Sequence, residues 1–390
     1  MYEDHFTEEH RIYRKAVRDW CDKEIVPNAE AFEANELTPR SIFKQAGKLG
    51  FLGARFPEHC GGSGGDFWYT VVWAEELARS GLAGTAMGLL VQSDMATPVI
   101  GALGTQAQID EFLKPALNGD KIAALGITEP GAGSDVASIR TTARRDGDDY
   151  IIDGSKTYIT NGTQADFITL AVRTDPNANP NWAGISLVLF PTNTPGFTVG
   201  RKLKKLGNHS SDTAELHFDG CRIPRRYLLG EENHGFIYIM RNFQGERLVG
   251  ALTAIAGARR AWERSVEFGR DRSAFGKPIG KFQVWKHEFV ELLTAIDAGQ
   301  LLSYHAAELY DRYLKDPDNA PDCTREISQA KLYCADLANR VTDRCLQFHG
   351  GMGYMEEYFI ARAWRDMRLI SIGGGTSEIM KEIIAKLIGL

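Results

Sequence analysis

Glu246 has the surroundings that most suggest chemistry. If its segment is helical, its neighbours at i−7, i−3, i+3 and i+4 are Ile239, Phe243, Val249 and Gly250, so the carboxylate stands on an apolar face. Burial there disfavours the charged form, raises the pKa from ~4.3 and strengthens the group as a base. Exposed, Glu246 and Arg247 would be an ordinary ion pair. A second candidate is Leu125 to Asp135, LGITEPGAGSD, where small and turn-forming residues follow a strand and leave backbone N–H groups free. Such a loop suits phosphates and ring carbonyls, though a plain Pro-Gly turn has the same composition. Gly350-Gly351 is a third, because a diphosphate approached by backbone needs residues without side chains.

The elements that must position these residues fall into three segments. Residues 1–122 read as helices: Thr7 caps one running to Val26 before Pro27, and Thr38 with Pro39 opens another that stops at Gly50. Residues 123–233 change to short β-branched or aromatic runs, Tyr150 to Ile152, Ile185 to Phe190 and Leu216 to Phe218, broken by Asp-Gly turns. Over 234–390 helical spacing returns, with Leu248, Leu252, Ile255, Trp262 and Val266 on one stripe and Leu292, Ile296, Leu309 and Tyr313 on another, as in a helical bundle. Helix, sheet, helix is an uncommon order, since most large enzymes interleave strands and helices.

At 390 residues, two or three domains are expected. A formal charge of −6 with scattered basic pairs gives no field that would draw nucleic acid or an anionic membrane, so a small-molecule partner is expected. Six cysteines without C-x-x-C spacing read as reduced thiols and supply no metal site. The first ten residues lack an apolar core, and no apolar run approaches the ~18 residues of a membrane span. The reading is a cytoplasmic protein, or a processed one of the mitochondrial matrix.

Five motifs follow in order along essentially the full chain: Thr128-Glu129-Pro130 with Gly133-Ser134-Asp135; Lys156 to Asn161, KTYITN; Asp271 to Lys277, DRSAFGK; Gln347 to Gly353, QFHGGMG; and Gly375 to Glu378, GTSE. Together they resemble the acyl-CoA dehydrogenase family. The resemblance implies an α+β fold with an N-terminal helical domain, a central β-barrel-like domain and a C-terminal four-helix bundle. It implies FAD, with Ile127, Thr128, Tyr158 and Thr160 lining the isoalloxazine ring and Leu125, Gly133 and Ile159 completing that set. Ser134 resembles the serine between flavin and CoA, and Arg247 the arginine that contacts CoA; Phe243 and Gly375 join them as substrate-binding positions. Arg272, Phe275, Gln283, Gln347, Gly350 and Gly351 are similar to positions that hold the adenine half of FAD, partly across a subunit interface. Thr376 and Glu378 close that site, Glu378 standing where many members have Gln. A homotetramer and electron transfer flavoprotein as electron acceptor are implied likewise.

One departure decides the mechanism. Many members carry the catalytic glutamate immediately before the Gly-Thr of the last motif, but here Ile372 is followed by Gly373-Gly374-Gly375-Thr376. A subgroup with long-chain and isovaleryl-type enzymes instead places it on the first long C-terminal helix before an arginine, as in Gly245-Glu246-Arg247. The resemblance then implies that Glu246 removes the proton beside the thioester carbonyl, that a hydride passes to flavin, and that the Gly374 N–H and a ribityl hydroxyl hold the oxygen. Two rivals are a flavin oxidase or monooxygenase of the same fold and a non-catalytic flavin-fold binding protein. The acyl chain is not readable; space at Gly374 suits branched and straight chains alike, with a lean to medium or long ones.

Overall fold

The computed structural model describes residues 3–390; Met1 and Tyr2, the start of the segment read for targeting signals, lie outside them. Helix α1 (Glu8–Trp20) begins at Thr7, whose hydroxyl accepts the His10 N–H while the His10 side chain reaches back to the Thr7 N–H, a capping box. The expected run to Val26 is corrected: the α-helix ends at Trp20 and relaxes through a π turn, Cys21–Ile25, and a 3-10 turn, Val26–Asn28. Pro27 explains this, because its ring displaces the carbonyl of the preceding turn and it donates no hydrogen bond. Helix α2 (Arg40–Lys48) is capped by Pro39 with no side-chain bond, since the Thr38 hydroxyl is buried and donates to Ser210 O at 2.7 Å.

Helices α3 (Phe67–Arg79) and α4 (Ala83–Leu90) form the centre of this part, α4 continuing through a π turn, Val91–Ala96, to Leu103. The stretch Ala83–Leu103 is long and apolar enough to cross a membrane by length and composition, contrary to the expectation that no run approached that length. Yet 72% of its most apolar window is buried, so it serves as core.

The middle segment is one eight-stranded sheet: β1 (Ala123–Gly126), β2 (Thr142–Asp146), β3 (Asp149–Thr160), β4 (Phe167–Arg173), β5 (Ile185–Pro191), β6 (Phe197–Lys202), β7 (Thr213–Pro224) and β8 (Leu228–Leu229). The path runs β6-β7-β3-β2-β4-β5-β8, and β1 lies parallel beside β4. Of the Asp-Gly pairs, only Asp146-Gly147 makes a hairpin turn; Asp153-Gly154 and Asp219-Gly220 lie inside β3 and β7. The register shifts between Ile152 and Gly154, where a Cβ on Gly154 would meet Thr141 at under 3 Å, so glycine there marks a bulge beside a close backbone.

Three long helices form the last part: α5 (Gly235–Asp271), α6 (Gln283–Lys315) and α7 (Thr324–His349), with α8 (Phe359–Met367) and α9 (Ser377–Leu387) against them. Leu248, Leu252, Ile255, Leu292 and Ile296 are buried, while Trp262, Val266, Leu309 and Tyr313 are partly buried against the same core. The two helical parts join through buried polar contacts: the Tyr304 hydroxyl on α6 donates to Glu75 Oε1 on α3 at 2.5 Å, and Phe67 N donates to Asp311 Oδ1 at 3.0 Å. All six cysteines are free and buried.

A buried ion pair fixes the loop after β1. Lys156 Nζ donates to Glu129 Oε1 at 2.7 Å and to Ile127 O at 3.0 Å, and Glu129 also accepts the N–H groups of Arg140 and Thr141. Burial pushes Lys156 down to about 8, while Lys156 and the donated bonds hold Glu129 below the usual carboxylate range against its own burial. Removing one partner strands the other charge, so Glu129→Ala should destabilise the protein by about 3–5 kcal/mol. Chemical denaturation should show a lower midpoint, and Lys156→Met added to Glu129→Leu should recover most of it; a single variant as stable as the parent would contradict this account.

Candidate functional site

Glu246 lies a third of the way along α5, between buried Gly245 and Arg247. The residue as a whole is half-buried, but its Oε2 has essentially no exposed surface and no hydrogen-bond partner among the described residues. Desolvation pushes its carboxyl up to about 7, against the opposing pull of the nearby Arg247 and Lys331 cations. A buried carboxylate oxygen without a donor is costly in a fold and makes the group a candidate for proton or ligand exchange.

The loop facing Glu246 is Gly373-Gly374-Gly375, leading into α9. Gly374 and Gly375 have φ of +64° and +92°, conformations that side chains resist. A Cβ at position 374 would stand 3.5 Å from Glu246 Oε1 and 3.9 Å from its Cγ. The carboxylate carried by α5 therefore reaches the space that a side chain at 374 would enter. Arg247 is 6% exposed; its guanidinium lies over the Phe243 ring at 5.9 Å, and its Nε is 3.7 Å from where a Gly375 Cβ would be. Phe243, Glu246, Arg247, Gly374 and Gly375 thus meet at one point.

One turn along α5 from Glu246, at Val249 and Gly250, the helix borders an apolar pocket between α3, α4, α5 and α8, lined also by Met87, Leu90, Met95, Phe359 and Met367. Met95 marks the end near Glu246, since Asn242, one turn before Glu246, donates to Met95 O at 2.8 Å. Gly81 and Ala83 mark the other end, beside Asn208 and Asp366. A second groove, lined by Trp182, Phe236, Met240, Gln244 and Tyr313, opens along the first turns of α5.

The strand residues form a separate cluster. Leu125, Ile127 and Thr128 leave β1 beside Tyr158, Ile159 and Thr160 at the end of β3, tied by the Thr157 N–H to Thr128 O at 2.9 Å. Tyr158 has φ +61° and is 69% exposed. Gly133 and Ser134 are exposed on the following loop, and nothing lies within 4 Å of a Cβ on Gly133. The cluster sits on the helix carrying Met95: Asn161 donates to Gly88 O at 3.0 Å and Thr169 to Ala96 O at 2.7 Å.

Arg272, Phe275 and Gln283 lie at the junction of α5 and α6, and Gln347, Gly350 and Gly351 at the end of α7. A shared aromatic knot joins them, with Phe268 stacked on His349 at 4.2 Å and Trp285 on edge to Phe348 at 4.8 Å. Phe275 is 95% exposed, and nothing lies within 4 Å of a Cβ on Gly350 or Gly351. This end of the bundle is ~39 Å from Glu246, at ~1.5 Å per residue of α5. Thr376 caps α9, its hydroxyl accepting the Ile379 N–H, and Glu378 follows exposed in its first turn. The structure therefore groups the site residues in three places rather than one.

Sequence reasoning missed Lys331, Asn208 and Asp366. Lys331 had a usable signal, a lone cation on the apolar stripe of Ile327, Ala330, Cys334 and Ala338. Asn208 and Asp366 had none, because only the folded chain brings them together.

Three segments of the chain match acyl-CoA dehydrogenase domains: the N-terminal domain over residues 7–120, the middle domain over 124–221 and the C-terminal domain over 233–389. The mitochondrial long-chain specific acyl-CoA dehydrogenase of Rattus norvegicus is 40% identical over 98% of this chain and 86% of its own. The crystal structure of an acyl-CoA dehydrogenase from Geobacillus kaustophilus superposes with a TM-score of 0.93 at 42% identity, over 99% of both chains. A glutaryl-CoA dehydrogenase from Mycobacterium smegmatis, solved in complex with FADH2, superposes at 0.90 with 29% identity over 99% of this chain and 96% of its own.

The raised Glu246 pKa has a measurable sign. The folded-state value lies above that of the unfolded chain, so the stability tied to the protonated form is full below the ordinary carboxylate range and is lost as pH rises through about 7. Glu246→Gln cannot ionise. Its stability relative to the parent should grow between pH 5 and pH 8.5, by up to about 3 kcal/mol at ~1.36 kcal/mol per pKa unit. Denaturation midpoints that keep a constant difference over that range would place the carboxylate in water.

Proposed function

The chain belongs to the acyl-CoA dehydrogenase family, and from that premise we propose that it oxidises the Cα–Cβ bond of an acyl-CoA to the trans-2-enoyl thioester, with Glu246 as the base. The observation that carries this reading is the Glu246 carboxylate, whose Oε2 is buried without a hydrogen-bond partner among the described residues while its Oε1 stands 3.5 Å from where a Cβ on Gly374 would be. Glu246 takes the α proton, for which a carboxylate poised near 7 is suited at neutral pH. The Gly374 N–H donates to the thioester oxygen as negative charge builds there, and the water-poor surroundings strengthen that bond. FAD, when bound, accepts the hydride leaving the β carbon, so loss of one proton and one hydride leaves the new double bond.

Phe243, Arg247 and Gly375 would border the thioester, and Ser134 would stand between flavin and CoA. The groove along the first turns of α5 takes the CoA arm. Leu125, Ile127, Thr128, Gly133, Tyr158, Ile159 and Thr160 would hold the flavin ring; exposed Tyr158 and the open space at Gly133 fit a planar group laid against the strand ends. Arg272, Phe275, Gln283, Gln347, Gly350 and Gly351 would hold the adenine half. Their ~39 Å from Glu246 exceeds the reach of one dinucleotide, so a second copy of the chain supplies them, within a homotetramer. Thr376 and Glu378 close the site, and electron transfer flavoprotein reoxidises the cofactor.

The pocket also sets the acyl class. From Met95 to Ala83 is twelve residues, roughly 18 Å of helix. An extended chain advances ~3.3–3.6 Å per three bonds, so this length holds roughly 15 bonds and suits long straight acyl groups. Anaerobic titration of the holoenzyme should show flavin bleaching that strengthens with acyl length to about that limit, and Glu246→Gln should bind FAD and acyl-CoA without bleaching. Full bleaching by the variant would remove Glu246 as base; a short-chain optimum would contradict the pocket length. Phe275→Ala should shed FAD into the filtrate at dilutions where the parent stays yellow, and equal retention would refute the shared site.

A further inference from the structure

Lys331 is 1% exposed in the third turn of α7, a position where an ammonium is costly to bury. It makes no ion pair within 4 Å among the described residues. Instead its Nζ donates to Ile370 O at 2.7 Å and to Gly375 O. These carbonyls bracket the segment that carries Gly374, whose glycines have no side chains to hold them in place. The charged groups around Lys331 are Glu246 and Arg247 on α5, Asp336 on α7 itself and Glu378 on α9. Of these, Arg247 disfavours its charge, as desolvation does more strongly, while the three carboxylates favour it; burial leaves it at about 8. Reciprocally, Lys331 is one of two cations that pull Glu246 toward ionisation.

We propose that Lys331 is a positioning residue for the dehydrogenation: its ammonium, bound to the carbonyls of Ile370 and Gly375, fixes the backbone presenting the Gly374 N–H and keeps a positive charge beside Glu246. It touches neither substrate nor cofactor and acts through both groups of the reaction. The proposal rests on Glu246 being the base. Loss of the Lys331 proton at high pH removes the charge and leaves the two carbonyls only the weaker donors of a neutral amine, so the reaction should weaken as pH rises past about 8 as well as when Glu246 is protonated.

The test is the pH profile of anaerobic flavin reduction by a long-chain acyl-CoA, read as rate over half-saturation between pH 5.5 and 9.5, for the parent, Lys331→Met and Lys331→Arg holoenzymes. The parent should give a bell with an upper limb near 8. In Lys331→Met that limb should vanish, the plateau should fall about tenfold and the lower limb should move upward. Lys331→Arg keeps a charge that does not titrate, so it should keep most of the rate while losing the upper limb; it also serves if Lys331→Met does not fold. A Lys331→Met enzyme that retains FAD with the parent's limbs and rate overturns the proposal. So does one slowed with both limbs in place, which would assign the lysine to folding alone. Bleaching by Glu246→Gln would instead sink the underlying reading, whatever the lysine variants do.

Discussion

The site depends on one desolvated carboxylate held opposite a loop without side chains. Glu246 comes from a long helix and Gly374 from a turn more than a hundred residues later, yet the acid fills the space in front of the glycine. Neither half works alone on physical grounds. A side chain at 374 would compete for that space, and a glycine loop without the helix-borne acid would face no carboxylate. The positive φ at Gly374 and Gly375 gives the backbone a turn that side chains resist, and their absence lets the carboxylate approach it.

The rest of the fold keeps this arrangement in register. The buried Lys156–Glu129 pair locks the loop after β1, the helix carrying Met95 joins the sheet to α5 through Asn161, Thr169 and Asn242, and Lys331 ties the glycine loop to α7. These are buried polar contacts with fixed geometry, so each constrains direction where apolar packing sets only proximity. The same bundle separates the strand cluster from the exposed, glycine-lined end at Phe275 and Gly350, which gives assembly a chemical purpose.

Much of this was legible in the sequence, and unevenly. Glu246 could be read because its i−7, i−3, i+3 and i+4 neighbours are close in the chain, and helical spacing reports local geometry directly. The three-part order followed from changes in periodicity. Thr38 was misread as a cap because its hydroxyl bonds Ser210, 172 residues away, and two Asp-Gly pairs were misread as turns because a bulge depends on the strand beside it. The pocket was illegible for the same reason: Met87, Gly250, Phe359 and Met367 come from separate helices whose facing only packing decides. Lys331 lay between these cases, visible as an anomaly on an apolar stripe but without a partner in the chain nearby.

If the chemistry belongs to a place in space rather than to one helix, the acid should be movable. The most direct measurement is the anaerobic rate of flavin reduction in Glu246→Gly and in the same variant with Gly374→Glu added, each shown to hold FAD. The account predicts that the first is inert and that the second regains reduction by the same acyl-CoA. A double variant as inert as the single one, with cofactor and ligand bound, would contradict it.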